Sequence, residues 1–163
     1  MGYNDEAAEV HRIFKTAQGE AETVGHPKMG TDHIFLGMLQ EPLASTHVVL
    51  RFYEASVDYA RTVVRINTDS WIFKKRRGKT RLLTATHELV RAREEAAVLA
   101  CALNGSNAEC EALHLLEVIL VEANKARELR QPSNLLLLLI ELKIDVRELL
   151  EQVTLTNRLV VSN

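Results

Sequence analysis

Cysteine, proline and glycine are all scarce in this sequence. Its two cysteines, Cys101 and Cys110, match no metal-ligand spacing and are too few for a disulfide framework, so a reducing compartment, the cytoplasm, is the expected setting. Three prolines and seven glycines in 163 residues leave few helix breakers and exclude collagen-like or low-complexity chains. Long hydrophobic runs are missing as well. The longest, Leu135 to Ile140, falls far short of the roughly 18 residues that cross a bilayer, and no basic, apolar leader opens the chain. No membrane association is expected.

What is present is a soluble, globular composition, 47% apolar and 26% charged, sufficient for one sizeable core or two small ones. The net charge of −2 hides an asymmetry. KKRRGKTR at 74–81 holds six basic residues, and removing them leaves −8 for the remainder, so the protein reads as acidic with one basic stripe.

Most apolar residues recur at helical spacing, which predicts an all-α protein. Val10, Ile13, Phe14, Ala17, Ala21 and Val24 form one stripe on a first helix, which Gly25 ends in a left-handed conformation and Pro27 keeps from resuming. Thr31 is the expected N-cap of the second helix and Asp32 its first-turn acid, placed where the helix dipole favours negative charge. That helix runs to about Glu41. Two more are expected, over Ser45–Glu54 and from Asp58 to Ile66.

The second half repeats the first. Ile13, Ala17, Ala21 and Val24 are answered 79 positions later by Ala92, Ala96, Ala100 and Leu103, and His33 is answered 81 later by His114. ASVDYARTVV at 55–64 pairs with LKIDVRELLEQV at 142–153, with Asp58 and Asp145 each opening a last helix. The expectation is a tandem duplication of a four-helix unit, an eight-helix pseudo-twofold bundle. Repeat 1 spans about 6–66, a basic linker 67–83 and repeat 2 about 84–153, all in a single domain. In the second copy the middle helix extends past Lys125, and Leu135–Ile140, apolar all round, is expected between the copies.

GHPKMGTDHIFLGML at 25–39 resembles the signature of the Clp N-terminal repeat, the double four-helix domain at the head of Clp-type ATP-dependent unfoldases. Gly25, His26, Gly30, Thr31, His33, Leu36 and Gly37 fall in place; in the second copy only His114 and the leucines after it do. The resemblance implies a non-catalytic protein-binding module without ATPase modules. It would modulate a Clp ATPase–protease system, deliver substrates or adaptors to it, or compete for ligands of the unfoldase N-domain. Both a stand-alone protein and an excised N-domain fit. GKT at 78–80 is no phosphate-binding loop, because Phe73 stands where that motif needs a glycine.

In the family, an acid at the Asp32 position holds the guanidinium of phosphorylated arginine, and a threonine opens the long helix. Thr31, Asp32 and Thr86 are therefore the implied ligand residues, with Thr84 an alternative to Thr86 in another register; Ala7 and Leu113 replace the corresponding residues of the other site. The plainer reading of Asp32 is a first-turn acid that stabilises its helix. His33 and His114, equivalent in the two copies, read as ligands of their own loop backbones, and His26 as a loop residue with a similar role; no catalytic residue, metal or cofactor is expected. Glu94, Glu95, Arg91 and Arg93 read as a solvated helix face.

Trp71, Lys74, Lys75, Arg76 and Arg77 are the expected partner-docking segment, with Trp71 as anchor. Aromatics interleaved with basic residues also suit nucleic acid, which is the alternative function class.

Overall fold

The computed structural model describes residues 7–68 and 84–160. Helix α1 covers Ala8–Val24 and stops where expected, at Gly25 with φ 75°. A two-residue strand, β1 (Lys28–Met29), leads into α2 (Thr31–Leu39). Next come a short α3 (His47–Leu50), a 3-10 turn (Arg51–Tyr53) and α4 (Val57–Thr68). After strand β2 (Thr84–Ala85) the pattern recurs as α5 (His87–Asn104), α6 (Ala112–Glu128), α7 (Asn134–Glu141) and α8 (Val146–Val160). The fold is all-α, a duplicated four-helix unit.

The matched stripes are buried together. Ile13, Ala17 and Ala21 are inaccessible, as are Ala92, Ala96 and Ala100, while Val24 and Leu103 are both half-buried. α1 packs on α2 and α5 on α6, and α2 with α4 reaches across to α7, so one continuous core serves both copies. At Gly37 the first pair approaches closely. A β-carbon there would lie 2.8 Å from the Ile13 carbonyl oxygen.

The copies also interlock by their backbones. The Thr86 N–H donates to the Met29 carbonyl (2.9 Å), and the Ala7 N–H donates to that of Cys110 (3.1 Å). Each bond ties the entry of one copy's first helix to the loop before the other copy's second. β1 and β2 extend the first of these contacts as a parallel two-residue ladder, Lys28 opposite Thr84 and Met29 opposite Ala85. Periodicity over two residues carries no strand signal, so these strands were beyond the sequence reading.

Four local expectations need correction. Thr31 is the first residue of α2, and Gly30 is its N-cap, in extended conformation. The expected helix over Ser45–Glu54 is one turn of α3 tightened into the 3-10 turn, with Glu54 reversing the chain at φ 47°. Asp58 does not open α4: Ser56 Oγ accepts the Tyr59 N–H (3.2 Å), and Asp58 pairs with Arg61 instead (2.8 Å). Asp145 does cap α8, taking the N–H groups of Arg147 and Glu148 (both 2.9 Å), so Ser56 and Asp145 are the equivalent pair. Finally, α7 is one-sided. Leu135, Leu136, Leu138 and Leu139 are buried while Leu137 and Ile140 face outward.

Candidate functional site

The start of α2 is built by two histidines. Gly30 N–H donates to His33 Nδ1 (3.0 Å), so that nitrogen is the unprotonated acceptor. His33 Nε2 then carries the proton and donates to His26 Nδ1, 2.7 Å away, with the rings edge to face. The chain fixes the loop 26–30 against the helix. The second copy repeats the first link: Glu111 N–H donates to His114 Nδ1 (3.0 Å) and the Asn104 amide lies 3.4 Å from Nε2. Burial pushes the His114 imidazole below its ordinary pKa, because the charged form would lose its water. Both histidines serve their loop backbones, as their equivalence in the repeat suggested.

Asp32 is not the solvated acid of a typical first turn. It is 2% exposed and folded back over Gly30, whose missing β-carbon would lie 2.7 Å from Oδ1. Oδ1 is 3.1 Å from His33 Nδ1, but that nitrogen is already accepting the Gly30 N–H, so the contact brings no proton. Oδ2 is buried without a hydrogen-bond partner. A carboxylate in this state is short of donors, which costs about 1–3 kcal/mol or more for a charged group.

Asp32 and Thr31 line a pocket of about 460 Å³ together with Thr86. The three ligand residues expected from the sequence are thus neighbours, contributed by both copies. Thr86, rather than Thr84, stands at the start of α5 and caps it, its hydroxyl accepting the Leu89 N–H (3.2 Å). The opposite wall comes from the second copy: Glu88 and Arg91 on α5, Glu122 and Lys125 on α6, and the loop 131–134. Arg91 is held by Glu122 (3.3 Å) and Glu95 (3.7 Å). Arg91, Arg93, Glu94 and Glu95 are all exposed, as expected of a solvated face, and Arg93 also lies over the Phe14 ring at 4.9 Å, joining the two first helices.

This far wall escaped the sequence reading, because nothing local brings the end of α6 beside the start of α2. One signal was available. Glu88 stands 79 positions after Glu9, the same offset that relates the two first helices, and the two glutamates do occupy equivalent ends of the fold.

At that second end Leu113 replaces Asp32 and Ala7 replaces Thr86. Glu111 caps α6, and its carboxyl is raised above the usual range, first by burial and then by the charges of Glu9 and Glu109. Trp71, Lys74, Lys75, Arg76 and Arg77 lie outside the described residues. Among the described residues no three metal-ligating side chains cluster, and no helix is long and apolar enough to cross a membrane.

No protein-family model and no curated protein sequence matches the chain. Solved structures do. The N-terminal domain of the caseinolytic-protease-associated chaperone ClpD from Arabidopsis thaliana superposes with a TM-score of 0.69 at 15% identity, covering 96% of each chain. A structure described under coevolution of the ATPase ClpV, the TssB–TssC sheath and the accessory HsiE protein gives a TM-score of 0.57 at 17% identity, over 91% of this chain and 85% of that one. At such identities the likeness concerns the fold. Its extent over both repeats shows that this chain has a Clp N-domain-like fold.

Proposed function

We propose that the protein is a non-catalytic binding module that captures a cationic group of a partner protein at the Asp32 pocket. Through that capture it modulates a Clp ATPase–protease system, brings substrates or adaptors to it, or competes for ligands of an unfoldase N-domain. The observation that carries the reading is the Asp32 carboxylate, buried without a donor beside an open pocket. A guanidinium or ammonium entering past Thr86 supplies the missing hydrogen bonds at low dielectric, where charge-assisted bonds are strongest. Arginine suits the task best, since its guanidinium carries several N–H donors and keeps its charge on leaving water. Lys125, on the opposite wall, offers a positive charge to a phosphate if the arginine is phosphorylated. Trp71 and the basic residues Lys74, Lys75, Arg76 and Arg77 are proposed as a second, electrostatic docking segment.

The test is an affinity purification of the tagged protein from lysate of its own source, beside Asp32→Asn and a variant neutral at 74–77. Recovery of Clp ATPase or protease subunits by the parent protein, reduced in the Asp32 variant, supports the reading. Absence of every Clp component, with nucleic acid recovered through 74–81 instead, transfers the function to the alternative class.

A further inference from the structure

Two groups meet at the Nδ1 nitrogen of His33. The Gly30 N–H donates to it at 3.0 Å, and Asp32 Oδ1 stands 3.1 Å away with no proton between them. His33 and Asp32 are both 2% exposed, and His26, which accepts from His33 Nε2 at 2.7 Å, is buried beside them. The other copy offers an internal comparison. There His114 Nδ1 accepts the Glu111 N–H in the same way, but Leu113 stands in the place of Asp32 and the Asn104 amide takes the place of His26. Holding the loop backbone therefore needs neither the carboxylate nor the second imidazole. Both occur at the end that opens on the pocket lined by Asp32.

We propose that His33 is a proton-dependent counter-ion for Asp32, so that acidification releases the cation held in the pocket. In the neutral imidazole Nδ1 is an acceptor, which leaves the carboxylate open to an outside donor. A proton taken from solvent at Nδ1 makes that nitrogen a donor. The 3.1 Å contact then becomes a charge-assisted bond to Oδ1, and the Gly30 N–H loses its acceptor. His26 Nδ1 remains the acceptor at Nε2, so both N–H groups of the charged ring are bonded. The imidazolium supplies from inside the fold the charge that a guanidinium brings from outside, and it repels a second cation at the shared carboxylate. Gly30 itself lines the pocket, which places the freed amide in the wall of the site. This regulation rests on the capture of a cation at Asp32.

The other charges around α2 are already engaged or face water. The Glu20 carboxyl of α1 is lowered first by Arg61 of α4, which holds it at 2.7 Å, and last by the charge of His33. Glu141 of α7 accepts the Tyr59 hydroxyl (3.0 Å), while His47 of α3 and Lys28 of β1 are exposed. Across the pocket Glu122 of α6 holds Arg91 of α5 (3.3 Å), and Glu88 and Lys125, of opposite sign, are exposed.

The probe is N-acetyl-arginine amide, a guanidinium without a carboxylate or free amine, titrated from about pH 8 to about pH 5, where imidazoles change charge. Its affinity for the parent protein is expected to fall with pH, by at most about tenfold per unit for one competing proton. The Gly30 amide resonance should move along the same single-proton curve without any probe. By reciprocity, saturating probe displaces that curve to lower pH. Asp32→Asn should lose the probe, and its Gly30 curve should lie at lower pH than that of the parent, because the imidazolium has lost its counter-ion. Constant affinity through the interval, a Gly30 amide indifferent to pH, or one Gly30 curve shared by parent and Asp32→Asn would overturn the proposal. Absence of probe binding at every pH overturns capture at Asp32 and the release with it; that failure is told apart because the probe-free Gly30 curve still reports the exchange between His33 and Asp32.

Discussion

Asp32 Oδ1 lies 3.1 Å from His33 Nδ1, and neither atom gives the other a proton. The imidazole nitrogen is committed to the Gly30 N–H, so two acceptors face each other in a buried setting while Oδ2 has no partner at all. The fold tolerates this arrangement at a cost in stability, and strained or unsatisfied groups of this kind gather at binding sites.

Asp32→Asn is accordingly expected to stabilise the protein. Removing an unsatisfied buried charge gains about 1–3 kcal/mol, against a dipole interaction of about 0.3–1 kcal/mol lost from the first turn. Chemical denaturation measures the difference. A net loss of stability would mean that the carboxylate is satisfied by water, and that the demand for an outside donor is absent.

Glu20 and Arg61 join α1 to α4 through two bonds of 2.7 and 2.8 Å, with Gln40 adding a third to the glutamate. The Arg61 hydrogen bond is the chief cause that lowers the Glu20 carboxyl below its usual 4.5, with burial opposing it. Because the folded pKa is depressed, this contribution is present above about pH 4.5 and disappears as pH falls through the folded value. Arg61 is 37% exposed in its side chain, so solvent screening reduces the expected cost of Arg61→Ala to about 1–2 kcal/mol. Denaturation at neutral and at strongly acidic pH should show that cost shrinking in acid.

His114 titrates in the opposite region. Burial lowers its folded pKa below 6.5, so the unfolded chain binds a proton more readily and stability declines as pH falls from about 6.5 toward the folded value. His114→Asn retains an acceptor for the Glu111 N–H and cannot titrate. Its unfolding free energy should be flatter across that interval than that of the parent protein. Parallel pH profiles would assign the slope to other groups.

Gly37→Ala tests the closest approach of α1 and α2. Helix propensity alone would favour alanine by about 1 kcal/mol, but the added carbon would sit 2.8 Å from the Ile13 carbonyl oxygen, a backbone atom held within α1. Overpacking of this kind costs about 1–3 kcal/mol and is expected to win, lowering the melting temperature. A stabilised variant would show that the helices separate at little cost.

The sequence by itself determined the architecture and much of the α2 site. Apolar spacing of 3.6 marked the helices, and recurrence of Ile13, Ala17 and Ala21 as Ala92, Ala96 and Ala100 revealed the duplication, because a core face must repeat wherever a packing unit repeats. Gly25 and the paired histidines were legible for the same reason, since helix ends obey local rules. Local rules failed where two residues compete for one role. Ser56 rather than Asp58 caps α4, and Gly30 rather than Thr31 precedes α2, because cap choice depends on a backbone conformation that composition does not fix.

Only the tertiary structure decided what Asp32 is. Its burial and its missing donor come from folding back over Gly30 and against His33, and its place in one pocket with Thr86 and Lys125 comes from the meeting of the copies, marked by the Thr86 to Met29 bond. The same meeting brings Glu9 to Ala112, a contact spanning 103 positions that no pattern in either segment announces. A charge gains its chemical meaning from the atoms that pack around it, and here those atoms come from both halves of the chain.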